Sequence, residues 1–122
     1  MVRIVPQRLM ADLHELRSFG ATGTGVVRPA FSSVDIESRH WLVEKMTEAG
    51  LDASIDGIGN VIGTSRNPGK ALLTGSHSDT QPTGGWLDGA MGVIYGLEAA
   101  RALGECDETH HLALDVASGM DE

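Results

Sequence analysis

Between Ala71 and Ala117 four patterns follow one another in order. They are a short apolar run (Ala71-Leu72-Leu73-Thr74-Gly75), a glycine-rich stretch, a helical period from Gly89 to Leu103, and an apolar run from His111 to Ala117. Strand, loop, helix, strand is the grammar of an α/β sheet, and no other feature constrains the fold as much. Within the helical part Met91, Val93, Ile94, Leu97 and Ala100 recur at the spacing of one inward face, while Gly92, Gly96 and Ala99 permit close packing. The two apolar runs read as buried strands. In such sheets ligands bind beyond the carboxyl ends of the strands, so function is expected in the segment after Gly75.

The residues before Ala71 supply further elements. Leu9, Leu13 and Leu16 predict a helix from Pro6 to Phe19 that Gly20 can end. Gly20-Ala21-Thr22-Gly23-Thr24-Gly25 reads as a flexible loop; no strand precedes it and no Lys follows, so it is no phosphate loop. A second helix is expected from Val34 to Ala49, with Ser33 as N-cap, Asp35 and Glu37 near its positive end and Gly50 as its stop. Ile36, Trp41, Val43 and Met46 mark its buried side and make His40 a partly buried structural histidine. Leu51 to Ile55 and Asn60 to Thr64 read as short strands around Asp56-Gly57-Ile58-Gly59, and Asn67-Pro68-Gly69-Lys70 as a turn.

Composition excludes several function classes. Nine Lys and Arg against 17 Asp and Glu give a net charge of −8 over 122 residues. A nucleic-acid binder needs a basic face, which this balance does not supply. No run approaches the ~20 apolar residues of a membrane span, and the first residues hold no apolar core of a signal peptide. The one cysteine, Cys106, points to a reducing, cytoplasmic compartment. Gly makes up 16 residues and aromatics 4%, a thin supply for a self-sufficient core. Together with an end at Ser118-Gly119-Met120-Asp121-Glu122, this reads as an unfinished domain.

The chemistry-bearing residues cluster in Gly75-Ser76-His77-Ser78-Asp79-Thr80 and Gly84-Gly85-Trp86-Leu87-Asp88-Gly89. His77 stands at the carboxyl end of the predicted strand. Asp79 can turn back to accept the other ring N–H, which orients a metal-binding histidine and makes it more basic. Asp88 can bring a carboxylate to the same rim. Histidine with carboxylates suits zinc or manganese. The spacing also permits a capped turn with a surface histidine, since an Asp ahead of a helix is commonly an N-cap. His110-His111 reads as a solvated strand start and His14 as a surface residue. Ser76 and Ser78 lack the Gly-x-Ser-x-Gly elbow of acyl transfer. Acids around Cys106 disfavour its thiolate.

Several blocks together resemble the metal-dependent amidohydrolases that include N-carbamoyl-L-amino-acid hydrolases, allantoate amidohydrolases and β-ureidopropionases, relatives of the di-zinc aminoacylases and carboxypeptidases. The blocks are Arg28-Pro29-Ala30-Phe31-Ser32, Asp56-Gly57-Ile58-Gly59-Asn60, Gly75 to Thr80, Gly84 to Val93, and Met120-Asp121-Glu122, ordered along the chain from Leu13 onward. The Gly-Gly pair before Asp88-Gly89 is closer to the amidohydrolase branch than to the peptidases.

The resemblance implies an α/β fold, with residues 1–122 as the N-terminal part of a catalytic domain: a mixed sheet flanked by helices. It implies two divalent ions, zinc or manganese, with His77 ligating one, Asp79 holding His77, and Asp88 bridging both. Glu122 matches the general base that takes a proton from the attacking water; an adjacent second glutamate would be residue 123. Relatives carry an aromatic three positions before the base, where this chain has Gly119. The implied substrate is a small molecule with a linear amide or ureido C–N bond, and the implied assembly of the longer parent is a homodimer. A dipeptidase or aminoacylase is the alternative chemistry, and a non-catalytic remnant with weak metal binding the alternative for these residues alone. Arg28 reads as exposed loop and is not assigned to substrate.

Overall fold

Pro6 fixes the first turn of a helix, Pro6–Ser18 (α1), because its missing N–H is one that a helix start leaves unused. The computed structural model describes residues 1–122 and continues with a two-strand hairpin, Ala21–Thr22 (β1) and Gly25–Val26 (β2), where a flexible loop was expected. The second helix, Ser33–Glu48 (α2), is capped by Ser32 rather than Ser33: the Ser32 hydroxyl accepts from the Asp35 N–H at 3.3 Å. Asp35, Ser38 and Arg39 are buried while Ile36 and His40 are exposed, contrary to the expectation for Ile36 and His40, because the buried Asp35–Arg39 ion pair takes the inward positions.

Asp52–Ile55 (β3), Val61–Thr64 (β4), Leu72–His77 (β5) and Leu114–Gly119 (β6) form one mixed sheet in the order β3-β4-β6-β5. β3 with β4 and β4 with β6 are antiparallel; β5 and β6 are parallel and joined by the crossover helix Ala90–Gly104 (α3). The α/β class and its mixed sheet are therefore as expected. The last strand begins at Leu114, three residues later than the sequence pattern suggests, leaving His111 outside it.

The helices and sheet share one core of Leu13, Leu16, Trp41, Leu42, Met46, Leu51, Val61, Ala90, Val93, Ile94, Leu97 and Val116. Gly92 and Gly96 let α3 approach β5 closely: a methyl on Gly96 would sit 3.0 Å from Thr74 Cγ2. Met91, expected to face inward, is exposed. β5 is likewise not a buried strand. It is the sheet edge, and Leu72 and Leu73 are 72% and 65% exposed. Buried charge sits beside the core, where Arg101 pairs with Asp12, and Arg8 pairs with Glu98 at 2.7 Å.

Candidate metal centre

The register of β5 against β6 places His77 opposite Gly119, so both strands end together and release their loops on one rim. His77 is half-buried there. Its Nδ1 lies 3.1 Å from the Asp79 carbonyl and 3.2 Å from the Asp79 carboxylate. A carbonyl can only accept, so Nδ1 carries the proton and Nε2 keeps its lone pair for an electrophile.

Two carboxylates converge on that nitrogen. Asp88 lies 3.8 Å from Nε2 and Glu122 3.9 Å. One donor atom from each of His77, Asp88 and Glu122 falls within 4.8 Å of the others. No Lys or Arg pairs with Asp88 or Glu122, whose side chains are 74% and 46% exposed. One imidazole and two unneutralised carboxylates around a shared point fit a divalent cation of the zinc or manganese class.

The local sequence explains the arrangement. Asp88 does not cap α3; the N-cap is Gly89, with no side-chain cap bond, which leaves the carboxylate free. Gly89 adopts φ +70° and ψ −56°, a conformation closed to other residues. A Cβ there would lie 2.4 Å from His77 Cε1, so the glycine after Asp88 makes room for the imidazole.

Asp79 is buried beside Asp121. Burial pushes its carboxyl above the ordinary aspartate range; His77 pulls it back, and the hydrogen-bonded Asp121 side chain raises it further. An open cavity of about 260 Å³ adjoins the carboxylates, lined by Pro29, Ala30, Asp79, Gln81, Asp121 and Glu122 among others. A cavity of equal volume at the opposite end of the sheet, beneath Asn67 and His110, holds no carboxylate.

The structure thus brings together all four residues singled out in the sequence: His77, Asp79, Asp88 and Glu122. Sequence reasoning missed Arg28, which is not exposed loop but fully buried. Its Nε donates to the Ser78 carbonyl at 2.8 Å, and Nη1 to the Leu16 and Phe19 carbonyls at 2.8 and 2.7 Å. Its backbone N–H donates to the Thr80 hydroxyl, and its carbonyl accepts from the Thr80 N–H. Arg28 therefore pins the strand-to-loop segment on both sides of Asp79. The only signal in the sequence was the Arg28-Pro29-Ala30-Phe31-Ser32 block itself.

Other candidates fall away. His14 is exposed and stacked on Trp86, and His110 and His111 are exposed without a carboxylate cluster. The Cys106 thiol is pushed down, chiefly by the hydrogen bond from the Glu108 N–H; the Glu108 charge pushes it up, as expected of an acidic neighbour, and is outweighed. No helix is long and apolar enough to cross a membrane.

Comparison with known proteins agrees with these blocks. No family model matches the chain. Over 99% of its length the chain is 34% identical to an N-carbamoyl-L-amino-acid amidohydrolase of Pseudomonas sp. (strain NS671), covering 30% of that protein. It is 31% identical over 88% of its length to an allantoate amidohydrolase of Bacillus subtilis, covering 27%. The whole chain superposes on an amidase of the hydantoinase/carbamoylase family from Burkholderia phymatum with a TM-score of 0.99 and 68% identity, covering 30% of that structure. The chain spans about 30% of the length of the relatives it matches. By sequence and fold it belongs to the amidohydrolase family of the hydantoinase/carbamoylase amidases.

Proposed function

We propose that His77, Asp88 and Glu122 hold a divalent metal ion, zinc or manganese, for hydrolysis of a linear amide or ureido C–N bond. The substrate class is an N-carbamoyl-L-amino acid or allantoate. The observation that carries this reading is the convergence of three donor side chains within 4.8 Å, with His77 held in the ligating tautomer by Asp79. The likeness to an N-carbamoyl-L-amino-acid amidohydrolase and an allantoate amidohydrolase supports the substrate class. A bound ion supplies Lewis acidity, which polarises a carbonyl oxygen and acidifies water.

The chain's own residues do the rest. Asp79 fixes the imidazole and its proton at Nδ1. Asp88, reaching in from the start of α3, offers two carboxylate oxygens, as a residue shared by two ions requires. Glu122 sits at the mouth of the cavity with one oxygen toward His77 and the other 3.4 Å from Gln81 Nε2. With the oxygen toward His77 within reach of the ion, the second oxygen is the one that would accept a proton from an attacking water and return it to the leaving nitrogen. A second ion and a homodimeric parent follow the family reading, in which residues 1–122 are part of a catalytic domain; the lone cysteine supports a cytoplasmic location.

A second reading is favoured by the exposure of Asp88 and Glu122. In it the 122 residues bind one ion weakly and turn over nothing above background. The native mass of the polypeptide in its own cells, its metal content, and ammonia release from N-carbamoyl-L-amino acids and allantoate decide between them. A heavier protein with about two divalent ions and His77-dependent ammonia release supports hydrolysis. A metal-poor species of the mass of this chain, without ammonia release, supports the second reading.

A further inference from the structure

The antiparallel ladder between β4 and β6 ends at Val61 and Ser118, so the residues that follow Ser118 leave its support before Glu122 is reached. A strand end released in this way frays unless side chains take over its backbone groups. At Met120 both groups are taken. Its N–H donates to Asn60 Oδ1 at 2.7 Å, and its carbonyl accepts from Arg39 Nη2.

Each gripping side chain is itself fixed. Asn60 donates from its side-chain nitrogen to Asp56 Oδ2 at 2.8 Å and from its backbone N–H to Asp56 Oδ1 at 2.9 Å. Arg39 is buried, with Nε 2.8 Å and Nη2 2.6 Å from Asp35 Oδ2, while Nη1 donates to the Gly59 carbonyl. The Phe31 ring lies 4.6 Å from the guanidinium carbon. Gly59 has φ +100°, and a Cβ there would sit 2.6 Å from Arg39 Nη1, so glycine is needed for the guanidinium to lie against this turn. Two sequence blocks with no chemistry of their own, around Phe31 and Gly59, therefore meet at one arginine.

We propose that Arg39 and Asn60 are positioning residues that grip the peptide groups of Met120 and so hold Glu122 opposite His77. The inference rests on the reading of Glu122 as a group of the site. The Glu122 side chain has little other anchorage, its one side-chain hydrogen bond being the 3.4 Å contact from Gln81.

Two variants of the metal-free chain test this. Asn60→Ala removes the acceptor for the Met120 N–H. Arg39→Lys keeps a cation beside Asp35 but loses the fork that reaches Gly59 and Met120. Amide hydrogen exchange is read at Met120 and at the core residue Val116, and zinc affinity is measured with Glu122 intact and in the Glu122→Gln background. In Asn60→Ala the Met120 amide is expected to exchange at least about tenfold faster with Val116 unchanged, as for loss of one hydrogen bond. Both variants weaken zinc binding about tenfold, and the penalty disappears in Glu122→Gln. An unprotected Met120 amide in the unaltered chain overturns the proposal, as does a zinc penalty that persists undiminished in Glu122→Gln. Failure of the unaltered chain to bind zinc, with Met120 protected and released by Asn60→Ala, refutes the metal reading and upholds the grip.

Discussion

His77 Nε2 and a carboxylate oxygen of Glu122 stand 3.9 Å apart at the matching ends of two parallel strands. The pairing of His77 with Gly119 sets this relationship, so it depends on sheet register before it depends on either side chain. A slip of one residue would send these side chains to opposite faces.

Gly89→Ala tests how tightly the rim is built. The new methyl would overlap the His77 ring and carbonyl in a backbone conformation that alanine avoids. We expect a stability loss on the order of 2–5 kcal/mol from strain and overlap together, measured by urea denaturation. Zinc affinity falls further than stability does, because the displaced group is the imidazole.

Arg28→Met should be among the most destabilising changes at a residue outside the apolar core. Methionine fills the space but leaves the Ser78, Leu16 and Phe19 carbonyls buried without their donor. The expected loss is about 3–5 kcal/mol, seen as a lower urea midpoint. A change below about 1 kcal/mol would return Arg28 to the exposed loop expected from sequence.

Acid sensitivity follows from Glu98. Burial pushes its carboxyl up, but hydrogen bonds from Arg8 and from the Val5 N–H, with Arg8 and Arg101 charges, outweigh that and hold it below the usual glutamate range. A depressed carboxylate contributes stability that is fully present above its unfolded value of about 4.3 and is lost as pH falls through its folded value. Glu98→Gln is expected to cost about 2 kcal/mol at pH 7 and to flatten the acid limb of the stability curve below about pH 4.

Much of the candidate site was legible because His77, Asp79 and Asp88 lie in one short segment after a strand, where α/β sheets place ligands. Glu122 was legible through resemblance alone, since nothing local distinguishes it from a solvated end group. Other features needed three dimensions. An apolar pair such as Leu72-Leu73 reads the same at a sheet edge as at its centre. Arg28 is buried by carbonyls from α1 and from the loop after β5, none adjacent in sequence. In α2 the buried Asp35–Arg39 ion pair takes inward positions that apolar periodicity assigns to Ile36, and the adjacent serines 32 and 33 offer the same cap chemistry one residue apart.

The central claim is that His77, Asp88 and Glu122 form a divalent-metal site. Calorimetric titration of the metal-free chain with zinc tests it most directly, comparing the unaltered protein with His77→Ala and Asp88→Asn. The account predicts saturable binding of about one ion per chain, weakened by at least about tenfold in each variant. Zinc affinity that is the same in all three proteins would contradict it.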